Sequence, residues 1–355
     1  MKLKEIIIKT GLLLTAIIIT LILLEISLRT HRFFKTKNTL PLHIPLDSPV
    51  LYGLNPKHPA INSHGLRDDE ITIPKPKKSL RILVLGDSIA YGICVKKEII
   101  FPQLLENMLP KPGSVEVINA AVPGYTAYNE LQYYLTKGWQ FEADIVLVAF
   151  CMNDVANPRL HWVQTKKEII NIPKEAIPNI DYDQKNILPL IKKRKIESML
   201  YKTIKWKINY LFPPKNKHNP DIKSKFPTYI TGEDSLSIKV LLEPTSPESR
   251  WLTAIYSKLN QAVKNHGATL VITFFPLAYQ LDQNYPFYPQ KLLTEYCQQN
   301  NIQHLDLLPA FKKHRQEDLF LLQNGEWYDI WHLTEYGHEI SAQEIAKYLK
   351  ENNLL

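Results

Sequence analysis

The chain has 355 residues, 45% of them hydrophobic and 22% charged, which excludes disorder along its whole length and allows one substantial core. Its formal net charge of +8 indicates contact with anionic surfaces, and because no nucleic-acid-binding motif is present we predict a membrane partner and no nucleic acid. The three cysteines are too few and too scattered for a disulfide framework, and no metal-ligand spacing surrounds them, so we predict no structural metal.

A continuous apolar segment, residues 11–28, follows a short N-terminal tail of residues 1–10. The segment approaches the roughly 20 apolar residues that span a bilayer, and we predict a single transmembrane anchor there. A cleaved signal peptide and a buried core helix are the alternatives, but no small-x-small cleavage site follows, and a terminal helix that is apolar all round has no obvious partner. Lysines and arginines flank both ends, so charge does not set the orientation in the membrane.

Residues 29–79 are predicted to form a proline-containing linker, because seven prolines occur between positions 41 and 76. Within it, the stretch from Asn62 to Asp68 stands out as an ordered element, which we interpret as a turn with a docking contact.

From residue 80 onward, short apolar runs alternate with helical stretches, the pattern of a parallel sheet covered by helices on both faces. The runs are residues 81–85, 115–120, 144–150 and 269–275, with a weaker one at 301–305. We therefore predict an α/β domain over residues 80–355, with its chemistry at the carboxyl ends of the strands.

An insertion at about residues 155–243 interrupts this pattern. It contains one predicted amphipathic helix, whose apolar face is formed by Ile196, Met199, Leu200, Ile204, Ile208, Leu211 and Phe212. Lysines 202, 205 and 207 lie on its other side, after a basic run at residues 192–195. Such a helix can act as a lid packed over the active site, form a solvated basic face, or lie on a lipid surface.

Residues suited to acyl transfer follow the first three strands and recur near the C-terminus. Ser88 is a candidate nucleophile and His332 its general base. Asp329 precedes His332 by three residues, so one turn would place both side chains on the same side, with the carboxylate supporting the imidazole. The backbone N–H groups of Ser88 and Gly124 and the amide of Asn153 are candidate oxyanion donors, and no cofactor is required.

These blocks resemble the SGNH/GDSL hydrolase family, whose conserved blocks centre on Ser, Gly, Asn and His. The matching residues are Gly86-Asp87-Ser88, Gly124, Asn153-Asp154 and Asp329-Ile330-Trp331-His332-Leu333. The resemblance implies a three-layer α/β/α, flavodoxin-like domain with Ser88, Asp329 and His332 as the triad, and Ser88, Gly124 and Asn153 as the oxyanion hole. The chain departs from the family pattern at Ile89, where leucine is usual, and at Cys151, where glycine is frequent.

The predicted function is that of a serine esterase acting on short-chain esters, such as acetyl groups on carbohydrate, through an acyl-serine intermediate. An O-acyltransferase that uses the same triad on envelope glycan is one alternative, and a catalytically silent, membrane-tethered binding or scaffold protein is another. Anchored relatives with an Asn-Ser-x-Gly-x-Arg stretch, which residues 62–67 resemble, face the outside of bacterial membranes. The resemblance therefore implies a single-pass protein of the cell membrane with an extracytoplasmic catalytic domain.

Overall fold

The computed structural model describes residues 2–37, 40–109, 115–155, 247–281, 289–323 and 327–355, together with residues 198, 200, 201, 203, 204, 207 and 208. The chain divides into two compact units. One contains the N-terminal helix and the described residues near position 200, and the other contains the central sheet.

The N-terminal helix, α1, runs from Lys2 to Lys37 and is longer at both ends than the predicted anchor, because the flanking basic residues continue the helix. Within it, Ile8–His31 has a mean hydropathy of 2.5 and is not buried, which satisfies the length and composition of a membrane span. The Thr15 and Thr20 hydroxyls donate to carbonyl groups four residues earlier. These polar groups are therefore satisfied within the helix, as an apolar environment requires.

The predicted insertion lies mostly outside the described residues. Those described at positions 200, 201, 203, 204, 207 and 208 are helical, as the sequence pattern predicts. Ile196, Met199, Leu211 and Phe212 of the predicted apolar face lie outside the described residues.

The second unit is built on a five-stranded parallel sheet, which confirms the predicted fold class. Its strands are β3 (Leu80–Gly86), β4 (Val115–Asn119), β5 (Ile145–Phe150), β6 (Thr269–Phe274) and β7 (Gln303–Asp306), in the order β4-β3-β5-β6-β7. The three central strands are buried along nearly their whole length, which explains why they are continuously apolar rather than alternating.

Helices flank this sheet, and a short hairpin precedes the last of them. The helices are α2 (Ser88–Tyr91), α3 (Phe101–Met108), α4 (Ala127–Thr136), α5 (Pro247–Asn265), α6 (Pro289–Gln299), α7 (Leu308–Lys313) and α8 (Glu335–Glu351). Strands β8 (Phe320–Gln323) and β9 (Trp327–Leu333) pair as a separate two-stranded sheet. Helix α3 packs against α8, and α4 packs against α5.

Much of the stretch predicted as a linker contributes to the core of the second unit. Strands β1 (His43–Pro45) and β2 (Tyr52–Leu54) pair antiparallel, and seven buried apolar side chains join the core. They are Val50, Leu51, Tyr52, Leu54, Ile61, Leu66 and Ile71. Four of them crowd into residues 50–54 and the other three stand singly among polar residues, so no period of two or 3.6 marked them in the sequence.

Candidate active site

Ser88 lies in the sharp turn between the first central strand, β3, and helix α2. Gly86 ends the strand, and a Cβ there would lie 3.0 Å from the Ala90 Cβ and 3.1 Å from the Ala149 Cβ, so the close packing favours glycine. Asp87 caps α2, its Oδ1 accepting a hydrogen bond of 2.8 Å from the Ile89 N–H. Ser88 thus begins a helix at the carboxyl end of a central strand, where such sheets hold their ligands.

His332 comes from β9 and meets Ser88 across 244 residues of sequence. Its Nε2 atom is 2.8 Å from the Ser88 Oγ atom, and both side chains are half-buried. This distance is within the hydrogen-bond reach required of a general base.

Asp329 is the third predicted member of this group. Its backbone lies in strand β9 rather than in a turn. The expectation that one turn places the Asp329 and His332 side chains on the same side therefore does not apply here. The Asp329 side chain lies outside the described residues.

Gly124 lies in the loop that follows β4. Its φ angle of 86° is in the left-handed region, which favours glycine. The loop is tied to the nucleophile strand by a 3.1 Å hydrogen bond from the Val122 N–H to the Gly86 carbonyl. It is also held at Pro123, whose carbonyl accepts from the Tyr52 hydroxyl at 3.4 Å.

Asn153 lies in a 3-10 turn, Met152–Val155, directly after β5. Its Nδ2 atom donates a hydrogen bond of 2.6 Å to the Oδ2 atom of Asp87. One carboxylate therefore both caps the helix that carries Ser88 and holds the Asn153 amide. Asp87 was recognised in the sequence only as part of the Gly-Asp-Ser block, and its contact with Asn153 had no sequence signal.

Two further carboxyl groups, Glu130 of α4 and Asp154, are fully buried near Asp87. Asp154 Oδ2 accepts from the Cys151 N–H at 2.8 Å, but within the described part of the chain both Glu130 oxygens and Asp154 Oδ1 have no hydrogen-bond partner. Burial raises the pKa of both groups well above the ordinary range, and the neighbouring carboxylates raise it further. The raised pKa values favour the protonated forms of Glu130 and Asp154, which limits the negative charge near Asp87.

Replacing Glu130 with glutamine is expected to stabilise the protein at pH 8, by on the order of 1 kcal/mol. The pKa of Glu130 is higher in the folded state than its ordinary value of 4.5, so above pH 4.5 the carboxylate takes up a proton when the chain folds. The free energy of unfolding therefore falls as the pH rises above 4.5. Glutamine is neutral at every pH and removes this loss. Urea unfolding at pH 5, 7 and 9 measures the effect, with exposed Glu351→Gln as the control. A pH dependence identical to that of the wild type would contradict it.

The stretch around Arg67 makes the docking contact that the sequence predicted. The guanidinium group donates to the carbonyl oxygens of Tyr91, Gly92 and Val95 at 2.6, 2.7 and 2.6 Å, and stacks over the Tyr91 ring at 4.8 Å. These carbonyls belong to the last residue of α2 and to the segment after it, so Arg67 secures the C-terminal end of the short helix that begins at Ser88.

Replacing Arg67 with methionine is expected to lower the free energy of unfolding by about 3 kcal/mol, because three carbonyl groups lose charged donors. Urea unfolding of the full-length chain in detergent, followed by tryptophan fluorescence, measures this change. The exposed Arg315 provides the control, since Arg315→Met removes the same side chain from solvent. Equal stabilities of the two variants would show that the contact contributes nothing.

Cys151, which directly follows β5, is fully buried. Burial raises the pKa of the Cys151 thiol well above its usual range, which disfavours the reactive thiolate. Among the described residues, no group of three or more His, Cys, Asp or Glu side chains is arranged to hold a metal ion.

The chain is similar to several solved hydrolase structures. TesA is 12% identical with a TM-score of 0.41, covering 76% of this chain and 98% of that one. A catalytic mutant of Axe2, an acetylxylan esterase from Geobacillus stearothermophilus, is 15% identical with a TM-score of 0.42, covering 78% and 96%. The acetyl xylan esterase AlAXEase is 14% identical with a TM-score of 0.41, covering 76% and 98%.

The family assignment comes from the sequence itself. The chain has no match among curated protein sequences. Residues 84–340 match the model of the GDSL-like Lipase/Acylhydrolase family, which covers well over half of the chain. The chain therefore belongs to the GDSL-like lipase/acylhydrolase family and is a carboxylic ester hydrolase.

Proposed function

We propose that the protein hydrolyses carboxylic esters through an acyl intermediate on Ser88. The single observation that carries this proposal is the 2.8 Å contact between Ser88 Oγ and His332 Nε2 at the carboxyl end of the sheet. A serine hydroxyl becomes a competent nucleophile when a positioned base removes its proton.

In the proposed reaction, His332 accepts the Ser88 proton as Oγ attacks the ester carbonyl carbon. The tetrahedral oxyanion is stabilised by the N–H groups of Ser88 and Gly124 and by the Asn153 amide. Asn153 gives one amide N–H to Asp87, which fixes the orientation of the other. His332 then protonates the leaving alcohol, and a water molecule, activated by the same imidazole, releases the acid. Asp329 is proposed to support the imidazole, as the family resemblance implies.

A fluorophosphonate probe tests the assignment of the nucleophile directly. The probe phosphonylates activated serines, and tryptic digestion after Arg81 and Lys96 isolates the peptide that contains Ser88. Labelling is expected on this peptide in the folded chain and is expected to be lost in Ser88→Ala and after heat denaturation. Labelling of a different serine, undiminished in Ser88→Ala, would overturn the assignment.

The acyl group is proposed to be short, and the acceptor is proposed to be water. A series of p-nitrophenyl esters from acetate to decanoate measures the first point, with turnover expected to fall as the chain lengthens. Adding a glycan to the reaction with p-nitrophenyl acetate shows whether water or the glycan accepts the acyl group. Acetylated glycan formed in place of acetate would identify an acyltransferase using the same residues.

We also propose that α1 is a retained membrane anchor and that the catalytic unit faces the outside of the cell membrane. The unburied, strongly apolar Ile8–His31 segment supports the anchor. Carbonate extraction of membranes that express the chain tests it, and protease accessibility in intact cells tests the side. Release by carbonate, with an N-terminus beyond residue 28, would show that the segment is a cleaved signal.

A further inference from the structure

A single carboxylate, Glu25, lies within the apolar span of α1. It is six residues before His31, so it would lie roughly 9 Å inside the end of the span at 1.5 Å per residue. An ionisable group at that depth is costly unless it is paired. Glu25 Oε1 is paired with Arg29 one turn later, at 2.7 Å.

The other oxygen of Glu25 binds the insertion. Its Oε2 accepts from the Ser198 hydroxyl at 2.9 Å and from the Leu200 backbone N–H at 2.8 Å. Ser198 Oγ in turn accepts from the Tyr201 N–H at 3.1 Å, which is a side-chain cap at the start of the helical residues. The carboxylate thus fixes the start of the insertion helix against α1, near the end of the span.

The helix fixed in this way exposes large apolar side chains. Tyr201, Ile204 and Ile208 are 61%, 50% and 53% exposed. Their spacing of three and four residues places them on one face. Exposed Lys207 lies in the same helix, and the basic run at residues 192–195 precedes it in sequence.

We propose that this helix is a second membrane contact, lying at the boundary of headgroups and acyl chains with Tyr201, Ile204 and Ile208 in lipid. The inference rests on the proposed anchoring by α1. Glu25 joins this helix to α1, whose apolar span is also unburied. The roughly 9 Å depth of Glu25 matches the 5–10 Å at which interfacial helices sit, and the exposed Lys207 fits anionic headgroups.

Site-directed fluorescence in proteoliposomes tests this contact. The exposed Cys94 is replaced by serine, and the buried Cys151 and Cys297 do not react in the folded chain. Single cysteines at Ile204, Ile208, Thr203 and Ile19 are then labelled with an NBD dye in the full-length chain. The vesicles contain phosphatidylethanolamine and phosphatidylglycerol at 3:1, with lipids carrying a nitroxide near the carbonyl or near the chain end.

Thr203 is the matched control, because it is exposed in the same helix but lies about 100° or more around it from the three apolar residues. Ile19, at the middle of the span, reports on the anchor alone. The dye at Ile204 and Ile208 is expected to be quenched at least about twofold more than at Thr203, and more by the shallow nitroxide than by the deep one. In Glu25→Ala this difference is expected to be lost while quenching at Ile19 is retained.

Quenching at Ile19 without quenching at Ile204 or Ile208 would overturn the second contact and leave the anchor intact. Absence of quenching at all four positions would overturn both the second membrane contact and the membrane anchor. A dye at position 204 could instead show blue-shifted emission that the nitroxide lipids do not quench. If that shift disappeared when the protein was diluted in the vesicles, a second copy of the chain would cover the face of Tyr201, Ile204 and Ile208. That result would also overturn the proposal.

Discussion

Ester turnover is expected to fall by a factor on the order of 10⁴ or more when Ser88 is replaced by alanine. The substitution removes the Ser88 Oγ atom, which lies 2.8 Å from His332 Nε2. Without this oxygen the proposed acyl intermediate cannot form. The kcat for p-nitrophenyl acetate in the full-length chain measures this loss, and the initial burst of p-nitrophenol is expected to disappear with it.

Two comparisons make the result specific. Ser257→Ala removes an exposed hydroxyl from α5 and is expected to leave kcat unchanged. His332→Ala is expected to cost about as much as Ser88→Ala, and the double variant no more than either, because residues that act as one unit are not additive. If the folded wild type were no more active than Ser88→Ala, simple hydrolysis would fail as the function, and acyl transfer to a glycan or a catalytically silent scaffold role would lead.

Gly337→Ala is expected to lower the free energy of unfolding by about 3 kcal/mol and to reduce kcat as well. A Cβ at Gly337 would lie 2.3 Å from the Leu319 carbonyl oxygen, which belongs to the backbone and cannot rotate away. The same oxygen accepts from the Thr334 N–H at 3.0 Å, and the Thr334 hydroxyl donates to the Asp318 carbonyl. The start of α8, three residues after His332, must therefore move away from the Leu319 segment.

Urea unfolding and kcat measured on the same samples test both parts of this prediction. Gly267→Ala is the matched control: its φ of 75° disfavours alanine, but no atom lies within 4 Å of the added Cβ. We expect a cost of about 1–2 kcal/mol there, from the left-handed conformation alone, and an unchanged kcat. An equal cost at both glycines would show that the contact with Leu319 relaxes without penalty.

The sheet was the most predictable part of the fold. Strands β3, β4, β5 and β6 each begin within one residue of the predicted apolar runs, since strands buried on both faces leave a continuous apolar signature. The weaker strand β7 begins two residues later than predicted, at Gln303. It lies at the sheet edge and is only half-buried, so its composition was mixed.

The site was predictable to the extent that short motifs encode it. Three candidate residues could be predicted because each follows an apolar strand: Ser88, Gly124 and Asn153. His332 could be predicted because an aspartate precedes it by three residues and the last helix follows it. Glu130 could not be found, because a glutamate in an amphipathic helix has no local mark of burial. Its surroundings are created by α5 and by the 3-10 turn that follows β5, which contact α4 only in the folded chain.

The 244-residue separation of Ser88 and His332 also bears on the order of synthesis. Because Ser88 is translated long before His332, a nascent chain that stops short of residue 332 contains the proposed nucleophile without the proposed base. Such a chain is expected to be silent toward esters.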